Sequence, residues 1–78
     1  MLGERNLMAL RSRVLELTKS EYQEDVAAIL ILAFRKYQQQ QLSQDYFNYS
    51  LMPQLVPLVK AEALQTVESM LISLIQTN

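Results

Sequence analysis

The sequence predicts an all-α fold, a small three-helix bundle completed by dimerisation. Three observations carry that expectation. Three stretches place apolar residues at helical spacing, and the run Val26 to Phe34 has no polar side chain on any face. The third is length: 78 residues leave little else to cover such a run. With no cysteine and no histidine, neither a disulfide nor the commonest zinc ligands can reinforce so thin a core. A second copy is the reinforcement that remains, although a well-packed lone bundle also fits the pattern.

The first predicted helix covers 4–17. Leu7, Leu10, Val14 and Leu17 lie on one narrow stripe, with Arg5, Ser12, Arg13 and Glu16 on the other side. Thr18 followed by Glu21 reads as a capping box, flanked by Leu17 and Tyr22 at the hydrophobic-staple positions. An N-cap residue is not helical, so this signal sets a corner between helices one and two. Ser20 with Gln23 is the alternative box, which would start the second helix two residues later.

The second predicted helix covers 19–41. Tyr22, Val26, Ile29, Leu30, Ala33, Phe34 and Tyr37 share a face opposite Glu24, Asp25, Arg35 and Gln39. Ile31 and Leu32 fall outside that face, on either side of the pole marked by Ala28 and Arg35. A buried strand is the competing reading of the apolar run, but its flanks are helix-forming and lack Gly and Pro. The glutamines at 38–41 read as a solvated helix end.

Residues 42–56 show no clear period and read as an aromatic connection. Pro53 and Pro57 bias Met52 and Val56 away from the helical region, so regular helix is expected to resume at Pro57. The third predicted helix covers 57–76. Val59, Ala63, Leu64, Val67, Met70, Leu71, Leu74 and Ile75 form a wide apolar arc, with Ile72 as its one stray. Helices two and three are expected to pair antiparallel, with helix one folded over them. No internal repeat, low-complexity linker or second domain is apparent, so 1–78 reads as a single domain.

Composition narrows the function classes. Seven basic residues against eight acidic ones, scattered in both signs, make a solvated surface and not a nucleic-acid footprint. A helix-turn-helix reading would put the recognition helix at the apolar run, which cannot read base edges. A small dimeric DNA-associated transcriptional regulator is the alternative function, and nucleic acid is not an expected partner. The start of the chain lacks a signal-peptide pattern, and the nine-residue run is too short to span a membrane. A cytoplasmic location is the expectation.

Catalytic signals are sparse: no histidine, no cysteine, one glycine, and a carboxylate pair, Glu24 and Asp25, on a solvent face. No enzyme activity, cofactor or metal is expected. Asn48-Tyr49-Ser50 matches the N-glycosylation pattern by accident if no signal peptide precedes it. The expected function is a non-catalytic protein–protein interaction module, an adaptor, assembly factor or regulator, working as a homo-oligomer and on an unidentified protein partner. Ile31, Leu32, Ala28 and Ile72 are the candidate oligomer interface. Tyr46, Phe47 and Tyr49 are the candidate partner site, or else rings that cap the bundle.

Overall fold

A computed structural model describes residues 3–77 and the side chains of 3–76. Met1 and Leu2, at the start that argued against a signal peptide, lie outside them. The fold is all-helical, with four helices in place of the three expected. Helix α1 is Glu4–Glu16 and helix α2 is Gln23–Gln38. Helix α3 begins at Gln44–Tyr46, widens into a π turn over Phe47–Leu51 and continues through Met52–Leu55. Helix α4 is Leu64–Thr77.

The apolar stripes read from the sequence form the interior. Leu7 and Val14 of α1, Val26, Leu30, Ala33 and Tyr37 of α2, and Val67, Leu71 and Leu74 of α4 are buried. Leu10, Leu17, Ile29, Phe34, Met70 and Ile75 pack half-buried around them. Helix α2 packs against α1 across the corner that joins them.

The largest departure is the segment 42–56, which is helical instead of a connection. Ser43 caps it: its hydroxyl accepts from the Tyr46 N–H at 3.1 Å. Burial of Phe47, Leu51, Met52 and Leu55 supplies the apolar face that holds the helix. Pro53 would clash with the carbonyl four residues back in a regular helix. The π turn immediately ahead of it, where the Met52 N–H reaches back to the Phe47 carbonyl, widens the spiral there. Met52 and Val56 both keep helical backbone angles, so core packing overrides the local bias of the residue before proline. Pro57 lies in the turn after α3, and the last helix starts at Leu64, following a 3-10 turn at Ala61–Ala63.

The corner after α1 stands where expected, but Thr18 does not cap the next helix. Its hydroxyl donates backwards to the Val14 carbonyl at 2.8 Å, closing the end of α1. A 3-10 turn at Ser20–Tyr22 then leads into α2 with no side-chain cap from Thr18 or Ser20. Gln23 spans the corner by donating to the Leu15 carbonyl at 3.1 Å.

Thr18 also pairs its backbone with Val59 in an isolated antiparallel bridge. The Lys19 N–H donates to the Leu58 carbonyl and the Lys60 N–H to the Leu17 carbonyl, both at 3.0 Å. The side chains repeat the exchange: Lys19 Nζ reaches the Pro57 carbonyl and Lys60 Nζ the Glu16 carbonyl. Every contact at the bridge therefore has a counterpart with the halves interchanged. The same interchange takes the 3-10 turn Ser20–Tyr22 to Ala61–Ala63 and the start of α2 to the start of α4. It also takes buried Val14, Val26, Leu30 and Ala33 to buried Leu55, Val67, Leu71 and Leu74.

The chain is thus two helix–corner–helix halves related by an approximate two-fold axis through the bridge. This corrects the reading that no internal repeat is present. The signal in the sequence is scattered: Leu17, Lys19, Glu21, Val26, Leu30 and Ile31 recur as Leu58, Lys60, Glu62, Val67, Leu71 and Ile72.

The halves are joined by 39–43. The glutamines at its start end α2 in a Schellman turn, with the Gln41 N–H on the Lys36 carbonyl and the Gln40 N–H on the Tyr37 carbonyl. Gln40 takes the left-handed conformation that this turn requires, at φ 59°.

Candidate surface between α1 and α2

A cleft of about 280 Å³ runs between α1 and α2. Each helix contributes a stripe two turns long: Glu4, Leu7, Met8 and Arg11 from α1, and Ile31, Phe34, Arg35 and Gln38 from α2. The floor is Leu7, buried, with half-buried Phe34. Met8 and Ile31 stand on the sides at 61% and 55% exposure, and Leu32, beside Ile31 on α2, is 47% exposed. Glu4, Arg11 and Arg35 bring charge to the edges. Arg13 pairs with Glu16 away from this cleft, and Glu4, Arg11 and Arg35 form no ion pair among the described residues.

The expected interface residues separate into two groups. Ile31, Leu32 and Ala28 are exposed on α2. Ile72, the residue that the two-fold makes equivalent to Ile31, is half-buried and packs against the core. It is not brought near the others by a shared helix. Met8 and Arg11, which lie outside the stripe read on the first helix, join the surface.

The three aromatic residues of α3 also divide. Phe47 is buried in the core, as the capping reading requires. Tyr46 is half-buried, with Lys36 Nζ 4.9 Å from its ring centroid, so it ties α3 to the end of α2 by a cation–π contact. Tyr49 points out at 81% exposure. The three do not form one surface.

Among the described residues, no buried side-chain nitrogen or oxygen lacks a hydrogen-bond partner, and no three His, Cys, Asp or Glu side chains gather where a metal ion could sit. Among the same residues, no helix is long and apolar enough to cross a membrane. Comparison with protein-family models, curated proteins and solved structures finds no match.

Proposed function

We propose that this chain is a non-catalytic protein–protein interaction module, acting as a homo-oligomer through the face formed by α1 and α2. The observation that supports the reading is the placement of Met8, Ile31 and Leu32. The core closes without them, yet all three are exposed, Met8 and Ile31 lining one cleft and Leu32 next to Ile31 on α2. Isolated exposed apolar residues are ordinary, whereas a cluster beside a groove is what a docking surface needs. The cleft is small for enclosing a drug-sized ligand and suits side chains inserted from another protein surface.

Light scattering on the purified protein at tens of micromolar tests this. The expected mass is a multiple of the chain mass, with a dimer favoured. Ile31→Glu removes an apolar contact worth about 2 kcal/mol per copy and puts an unpaired charge in its place, so it is expected to give monomers. A monomeric wild-type protein overturns the proposal.

A further inference from the structure

We infer that the occupant of the α1–α2 cleft is a second copy of this chain, with α1 crossing α1 of its partner antiparallel about a two-fold axis at Leu7 and Met8. The inference rests on the interaction reading above and adds the partner and its register.

Two observations carry it. The first is the internal two-fold, which shows how such a cleft is closed. In the second half, buried Phe47 stands where the first half has Leu7, and buried Met52 stands where it has Arg11. With a larger ring at the first position and an uncharged side chain at the second, Ile72 is half-buried, whereas its counterpart Ile31 is left exposed. What the first half lacks is apolar bulk supplied from outside, and Met8, exposed on the rim, is bulk of that kind for a neighbouring copy.

The second is charge. Glu4 and Arg11 sit two turns apart on the same stripe of α1, about 10 Å along the axis. Leu7 and Met8 lie midway between them. An antiparallel copy centred there sets Glu4 against the opposite Arg11 twice, with exposed Met8 in the middle above buried Leu7, so this part of the stripe is complementary to itself. Neither charge forms an ion pair among the described residues.

Charge exchange tests the register. Glu4→Arg and Arg11→Glu each set like charges against one another at both ends, and sedimentation equilibrium is expected to show monomers. The double variant Glu4→Arg/Arg11→Glu restores opposite pairs and is expected to return to the dimer. Thermal melts confirm that all three fold. Because the chain has no native cysteine, Met8→Cys gives a second readout: mild oxidation is expected to cross-link it as a dimer, and Val56→Cys, exposed outside the cleft, is not.

A wild-type dimer in which the double exchange stays monomeric, or in which Glu4→Arg is rescued by Arg35→Glu instead, overturns the register while leaving the docking face standing. Efficient cross-linking through Val56→Cys with none through Met8→Cys overturns both. A wild-type monomer does the same.

Discussion

Replacing Thr18 with valine separates two jobs that its side chain performs. The residue is 1% exposed, its hydroxyl donates to the Val14 carbonyl, and its backbone forms the bridge to Val59. Valine keeps the β-branched shape and loses only the hydroxyl. The Val14 carbonyl is not orphaned by that loss, because the Leu17 N–H also reaches it at 3.1 Å. The cost is then the net worth of one hydrogen bond, about 1 kcal/mol, without the penalty of an unsatisfied buried acceptor.

Thr18→Ala removes the buried methyl as well, and one such group in a packed interior adds about 1 kcal/mol, for roughly 2 kcal/mol in all. Ser20 is exposed in the 3-10 turn and caps nothing, so Ser20→Ala should leave stability unchanged. Urea melts followed by helical circular dichroism measure all three, with constant slope as the check that only stability has moved. The expected order is alanine at 18 worst, valine intermediate, alanine at 20 silent. If valine and alanine at 18 cost the same, the methyl contributes nothing and the packing at the bridge is wrongly described. If Ser20→Ala costs most, the helix start has been misplaced.

Phe47→Ala should cost about 3–5 kcal/mol in the same melts, because it empties a buried aromatic site, while Tyr49→Ala should shift them by less than about 0.5 kcal/mol. Gln40→Gly relieves a left-handed residue at the Schellman turn and is expected to raise stability by about 0.5–1 kcal/mol; a loss of stability would mean that the turn is not formed in solution. Lys36→Met removes the cation over the Tyr46 ring and should cost about 0.5 kcal/mol, an effect that Tyr46→Leu should abolish in a double-mutant cycle.

The stripes of α1, α2 and α4 were legible because burial on one helical face leaves a period that single residues carry: Leu7 to Val14, Val26 to Tyr37, Val67 to Leu74. Exposed Ile31 and Leu32 were legible for the same reason, as the residues that one core face did not require. Thr18 was misassigned because its pattern with Glu21 cannot tell a hydroxyl that accepts from the helix ahead from one that donates to the helix behind. The two prolines hid α3, since their local bias is stated by sequence and the burial of Leu51, Met52 and Leu55 that outweighs it is not. The repeat escaped for a related reason. The π turn inserts a residue in α3, so Leu7 and Phe47 correspond at one separation, Val14 and Leu55 at a separation one longer.

The reciprocal bridge has a consequence for where this chain can be cut. A two-fold axis that carries the start of α1 to the start of α3, and α2 to α4, also carries one gap onto another. The gap spanned by 39–43, from the end of α2 to the start of α3, then has a counterpart between the end of α4 and the start of α1, wider because α4 is two residues shorter than α2. A linker about two residues longer than 39–43, joining residues 77 and 4, is therefore expected to close the chain into a ring. Opening that ring within 39–43 would then give a circular permutant that begins at α3 and ends at α2, with its two halves in exchanged order and the Thr18–Val59 pairing intact.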